Sequence, residues 1–271
     1  MSRFSINERT TAQWTFDEDV VNYLALGVEA IGVRRDKIIN FGEERSIELI
    51  QDMAIDVSSV FWGGGFTGAD GYSHRESIDD VMRGIQLAAA LSSPVIVVGT
   101  GPRGGHTVNH STRLVLDALQ ELIPVAREEG IIIGLEPLNM KGAEPWTFLT
   151  RLTEIQRLLD DVDDPQVQFV FDPGYLASDL DRICNSELVQ HICVVRITDF
   201  QSCGELNHPE TIPGYENVGV QEALFILEQS GFRGFYEFDL MSEAHGDSVY
   251  QETVKSCLAI SHSILSDYSG V

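Results

Sequence analysis

The 271-residue sequence predicts a (β/α)8 barrel, with a doubly wound open sheet as the alternative. Three observations carry this. Eight short apolar runs alternate with eight helix-length segments from one end of the chain to the other. Runs such as VIVV, IIIGL and VQFVF are largely apolar throughout, as parallel strands covered on both faces require. No linker or composition break interrupts the alternation, so one domain is expected over residues 1–271.

In chain order, apolar period and punctuation place strands at 3–7 (RFSIN), 28–33 (VEAIGV), 54–61 (AIDVSSVF) and 95–99 (VIVVG). Four more follow at 131–136 (IIIGLE), 167–171 (VQFVF), 192–197 (ICVVRI) and 235–239 (FYEFD). Helical patterns lie between and after them, at 17–26, 43–52, 78–91, 112–129, 146–159, 176–185, 221–229 and 248–265. In the fourth, Leu114, Leu116, Leu119, Leu122, Ile123 and Ala126 are expected on one apolar face. Asp117, Glu121, Arg127 and Glu128 fall largely on the other, and Gly130 supplies the stop.

Composition excludes several function classes. Lys and Arg number 18 against 42 Asp and Glu, a formal charge of −24, with the acids spread along the chain. Nucleic-acid affinity needs a basic footprint to neutralise phosphates, so neither nucleic acid nor an anionic membrane is an expected partner. No apolar run approaches the roughly 18 residues of a membrane span. The opening MSRFSINERTTAQWTF lacks the basic and apolar regions of a signal peptide, so the expected compartment is the cytoplasm. Cys184, Cys193, Cys203 and Cys257 have no CxxC spacing and read as thiols. The expected partner is a small-molecule substrate, with a homo-oligomer allowed for.

A barrel of this class builds its site at the C-terminal ends of its strands. There the sequence places Glu136, Asp172, Arg196 and Asp239, at the ends of strands five to eight. Period-two alternation makes Asp239 cofacial with Glu237, one layer deeper and within reach of Arg196. So many acids in one mouth would raise one another's pKa values unless a cation sat among them, either a divalent metal or Arg196 itself. At rest Arg196 is expected to pair with Glu237 or Asp172.

GLEPLN, FDPGYL, the PGY step at Pro213 to Tyr215 and GFRGFYEFD resemble, in order and spacing, the xylose isomerase-like TIM barrels, the sugar phosphate isomerase/epimerase superfamily. The opening SINERTTAQWTF and VVNYLALGVEAIGV is also similar, so the resemblance spans nearly the whole chain. It implies a Glu, Asp, His, Glu ligand set for Mn2+, Mg2+ or a related ion. Carried over singly, these positions fall on Glu136, Asp172, Arg196 and Asp239. Arginine stays protonated and donates no lone pair, which reduces the metal set to Glu136, Asp172 and Asp239. No cofactor is therefore expected, unless Arg196 swings aside for Mn, Mg or Zn. The chain also departs from the family pattern with Tyr175 in place of a His, Gly32 in place of a Glu and Glu210 in place of an Arg. Asn139 often accompanies the strand-five motif, which implies a hydroxyl contact.

Two long glycine-rich loops, FWGGGFTGADGYSH and GTGPRGGHTVNH, follow strands three and four, and neither is a P-loop. Trp62, Phe66 and Tyr72 are candidates to wall a ring-shaped substrate. His106 and His110 lack the HExxH glutamate of a zinc pair, and a substrate contact is the expectation for His106. His245 is a candidate acid or base.

Three functions compete. In the first, an isomerase or epimerase acts on a small polyhydroxylated carbonyl compound: Glu136 or Asp239 removes the proton next to the carbonyl and a cation stabilises the enediolate. In the second, a metal-independent lyase, dehydratase or isomerase of a specialised metabolite uses Arg196 as oxyanion stabiliser. In the third, the chain is a noncatalytic binder or partner subunit.

Overall fold

The computed structural model describes residues 3–69, 71–138, 145–176, 179–184, 187–198, 220–240 and 246–268. Strands β1 (Phe4–Asn7), β2 (Ala30–Arg34), β3 (Asp56–Gly64), β4 (Val95–Gly99), β5 (Ile132–Leu135), β6 (Val167–Phe171), β7 (Ile192–Ile197) and β8 (Phe235–Phe238) run in chain order around a closed barrel. Closure joins β1 to β8 in parallel, with Phe4 opposite Tyr236 and Ile6 opposite Phe238. The open-sheet alternative is thereby excluded. Most strand residues are buried, as the continuous apolar runs require.

The chain groups into two compact units, residues 1–58, 172–189 and 195–271, and residues 59–171 and 190–194. In the first, Phe4 stacks on Tyr236 and Phe238 with ring centroids 5.3 and 5.8 Å away. Helix α1 (Phe16–Leu26) begins where Thr15 N–H donates to Glu18 Oε2 at 2.8 Å, and ends at Gly27 with φ 92°. A short helix that periodicity alone did not reveal, α2 (Arg35–Phe41), precedes α3 (Glu43–Met53). Gly42, with φ 108°, separates the two.

In the second unit Phe61, Val95, Val97, Val170, Cys193 and Val194 form one core cluster, with Trp62 and Ile132 packed against it. Helix α4 (His74–Ala90) starts a turn before the expected 78, because the Ser73 hydroxyl accepts from Glu76 N–H at 3.2 Å. Helix α5 (Val108–Glu129) likewise starts early, behind the Thr107 cap. Its inner face is Val115, Ala118, Leu119, Leu122, Ile123 and Ala126, and the expected Leu114 and Leu116 flank it half-buried.

Two expected helices are corrected. The segment from Trp146 is loop, and α6 begins only at Leu152 and runs to Val162. Its polar groups go to the end of β4: Gly101 N–H donates to Trp146 O at 2.9 Å, and the Thr100 and Thr147 hydroxyls meet at 2.9 Å. In place of one helix at 176–185 there are two short ones, α7 (Pro173–Leu176) and α8 (Leu180–Cys184), then a 3-10 turn at Glu187–His191. Helices α9 (Val220–Gln229) and α10 (Asp247–Tyr268) close the first unit. No helix among the described residues is long and apolar enough to cross a membrane.

Candidate active site at the strand ends

Within the first unit an alternating chain of charges runs across the ends of β1, β7 and β8. Arg196, on β7, is the largest fully buried side chain, 1% exposed. Its NH2 donates to Glu237 Oε1 at 2.8 Å, and its Nε lies 3.4 Å from Asp239 Oδ2. Both carboxylates come from β8 and its end, two residues apart on one face, as strand period requires. Of the two partners expected for Arg196, Glu237 is therefore in contact, and Asp239 is an additional one.

Glu237 has further donors. Besides Arg196 it accepts from Asn7 Nδ2 at 2.8 Å and from Ser58 Oγ at 2.7 Å. Gly32 on β2 makes room for it: a Cβ there would stand 2.4 Å from Glu237 Oε2 and 2.9 Å from Asn7 Nδ2. The glycine that departs from the family's glutamate thus faces a glutamate arriving from β8.

Asp239 also accepts from Arg9 Nε on Oδ1 at 2.8 Å, and Arg9 NH2 forms an ion pair with its Oδ2 at 2.5 Å. Asp172, after β6, accepts from Gly174 N–H at 2.7 Å and from the Thr198 hydroxyl at 2.6 Å. Tyr175 sits beside them, hydrogen-bonded to Thr198. Burial, then the negative charge of Asp172, pushes its phenol up to about 12, so it stays a neutral donor at cellular pH.

The segment carrying Arg9 is anchored from below. Lys37 on α2 is buried and donates to Thr11 O at 3.0 Å, to Glu8 O at 3.3 Å and to the Asp19 carboxylate. Glu8 and Asp19 lie close enough for each to act on the other's proton affinity. Burial, then the charge of Asp19, holds Glu8 well above the usual carboxylate range. Burial also lifts Asp19 to about 6, against the pull of Lys37.

In the second unit, Glu136 is buried just after β5, and its N–H donates to Val98 O at 3.0 Å. Trp62 is half-buried and meets the exposed Trp146 edge-on, ring centroids 5.5 Å apart. Phe66 is wholly buried and belongs to the packing, not to a substrate wall, whereas Tyr72 is exposed. His106 and His110 meet edge-on with ring centroids 4.8 Å apart, and Arg113 NH2 lies 2.8 Å from His110 Nδ1. A cleft of about 490 Å3 lined by Arg103, Val108, Phe148, Glu154 and Arg157 holds none of the sequence-predicted site residues. Asn139, His245, Glu210 and Pro213 to Tyr215 lie outside the described residues.

Sequence reasoning missed Arg9, Asn7, Ser58, Thr198 and the Lys37 cluster. The signal for Arg9 was present, since the run NERTT follows the first strand directly. Arg9 thus stands just past a strand end, where a barrel builds its site.

These residues do not fit a resident dication. Arg196, where the resemblance puts the third ligand, carries a guanidinium, which has no lone pair to give and repels a cation. The fourth, Asp239, already lies against two guanidinium groups. Among the described residues no group of three or more His, Cys, Asp or Glu is disposed to hold a metal ion.

The family model described as xylose isomerase-like TIM barrel matches residues 24–259. Similar solved structures include a protein from Sinorhizobium meliloti 1021, at 21% identity and TM-score 0.78, covering 97% of each chain. An L-ribulose 3-epimerase aligns at 14% identity and TM-score 0.78, over 98% of this chain and 95% of its own. The IolI protein, solved with a bound zinc atom, aligns at 18% identity and TM-score 0.74, over 97% and 96%. Comparison with curated proteins finds no match.

Proposed function

The chain belongs to the xylose isomerase-like TIM barrel family, and from that premise we propose an isomerase- or epimerase-like enzyme. It removes the proton next to the carbonyl of a small polyhydroxylated substrate, with guanidinium charge doing what a metal does elsewhere. The observation that carries this reading is the buried Arg196 held between Glu237 and Asp239. The similarity to an epimerase supports the substrate class.

In this reading a carboxylate takes the proton from the carbon beside the carbonyl. The electron pair moves onto the carbonyl oxygen and leaves an enediolate. Arg196 stabilises that negative charge through planar donors held in place before the reaction, so little reorganisation is needed. Return of the proton to the neighbouring carbon gives an isomer, and return to the other face of the same carbon gives an epimer. Asp239 is assigned a positioning role instead of the base. It already lies against two guanidinium groups, Arg9 and Arg196, which hold it in place.

The test is deuterium incorporation from heavy water into a panel of ketoses, aldoses and their acids, read by proton NMR. Exchange at the carbon beside the carbonyl of at least one compound is expected. Absence of exchange across the panel would leave a noncatalytic binder.

A further inference from the structure

We propose that the cleft of about 490 Å3 in the second unit is a second binding site, and that it takes an amphipathic organic anion, a carboxylate or phosphate head on an apolar body. The proposal goes beyond the proton abstraction described above and uses none of its residues.

Two helix starts and two loops of that unit build the cleft. Val108 and Thr112, one turn apart on α5, line it together with Glu154, Arg157 and Leu158, which share one face of α6. Arg103 comes from the loop after β4, and Phe148 and Leu149 from the loop before α6. Leu149 and Leu158 are buried, Phe148 is half-buried and Val108 is exposed. Apolar side chains with a few polar groups, around a volume of this size, are what small-molecule sites consist of.

Charge names the head group. The chain has 42 acids against 18 bases, and Arg3, Arg34, Arg75, Arg83, Arg127 and Arg233 each pair with a carboxylate. Arg103 and Arg157 line one cleft, both are exposed, and neither pairs with a carboxylate among the described residues. Glu154, which also lines the cleft, is engaged elsewhere: its Oε2 accepts from Thr150 N–H at 2.9 Å and from Arg151 N–H at 3.2 Å. There its charge is set against the positive end of α6. Two guanidinium groups thus make a local positive field on a chain of net charge −24. Their planar donors suit the oxygens of a carboxylate or a phosphate.

The frame of the cleft is fixed before a ligand arrives. The Thr67 hydroxyl donates to Pro102 O at 2.6 Å, and His106 N–H donates to Arg103 O at 3.1 Å. On the other loop, Phe148 N–H donates to Thr100 Oγ1 at 3.0 Å and Leu149 N–H to Thr147 Oγ1 at 3.1 Å. Loops tied in this way give up little further freedom on binding.

The experiment follows the backbone amide resonances of Gly104 and Leu149 while naphthyl phosphate, naphthoate, naphthol or inorganic phosphate is added. At least one naphthyl anion is expected to shift both resonances saturably, with naphthol and inorganic phosphate at least about tenfold weaker, the scale of a charged hydrogen bond or of a buried apolar group. Preference for naphthoate assigns a carboxylate head, and preference for naphthyl phosphate assigns a phosphate. Arg103→Gln with Arg157→Gln is expected to weaken the tighter anion at least about tenfold by calorimetry. Both side chains are exposed and outside any described ion pair, so the double variant should keep the wild-type denaturation midpoint. The proposal is overturned if naphthol or inorganic phosphate binds as tightly as the naphthyl anions, if neither anion shifts the two resonances, or if the double variant binds like the wild type. Binding is read without turnover, so a failed deuterium exchange leaves this result standing.

Discussion

Arg196 NH2 and Glu237 Oε1 lie 2.8 Å apart in a place that solvent does not reach. Removing two charges from water is expensive, and a well-packed apolar pair of the same volume is commonly as stable or more so. Stability alone therefore gives little reason to keep this pair at the end of a barrel strand. Use in the site's chemistry gives a better one.

Arg196→Ala removes the counter-charge of Glu237, which keeps Asn7 and Ser58 as donors, and takes one of two guanidinium groups from Asp239. It should lower stability by about 3–5 kcal/mol, the usual cost of breaking a buried ion pair. The double substitution Arg196→Met with Glu237→Leu should regain most of this in urea denaturation. A double variant as unstable as Arg196→Ala would show that packing, not charge, sets the loss.

Gly32→Ala places a methyl 2.4 Å from Glu237 Oε2 and 2.6 Å from its Cδ, in a cluster with no slack. Destabilisation of about 1–3 kcal/mol is expected from overpacking. The readout is the shift in denaturation midpoint at unchanged slope.

The Glu8 and Asp19 pair makes stability depend on pH. Both carboxyl groups bind a proton more tightly folded than unfolded. Their contribution is therefore complete below about pH 4 and is lost as pH rises, through about 6 for Asp19 and further for Glu8. The slope is at most about 1.4 kcal/mol per pH unit for each proton. Glu8→Gln mimics the neutral acid and should flatten the curve above pH 5. A variant with an unchanged pH profile would remove Glu8 from that role.

How much of this was legible follows from what each feature needs. The strands were readable because burial on both faces demands continuous apolar runs, as in Val95–Gly99 and Val167–Phe171. The early starts of α4 and α5 were not, since Ser73 and Thr107 act through hydrogen bonds that leave no apolar period. The loop at Trp146 was misread because its bonds go to β4, far away in sequence. Glu237 was within reach of Arg196 by strand period alone. Arg9 was not found that way, because its partner Asp239 lies 230 residues on and only barrel closure brings β1 beside β8.

In the proposed chemistry Arg196 supplies the positive charge that a metal supplies elsewhere. The most direct measurement is deuterium exchange into the best compound of the panel by protein treated with chelator, beside Arg196→His assayed with and without Mn2+. Chelated wild-type protein is expected to keep its full rate. Arg196→His is expected to lose at least about a hundredfold, the scale of one oxyanion donor, while binding Mn2+ that the wild type does not retain. Exchange abolished by chelator in the wild type and restored by Mn2+, Mg2+ or Zn2+ would contradict it.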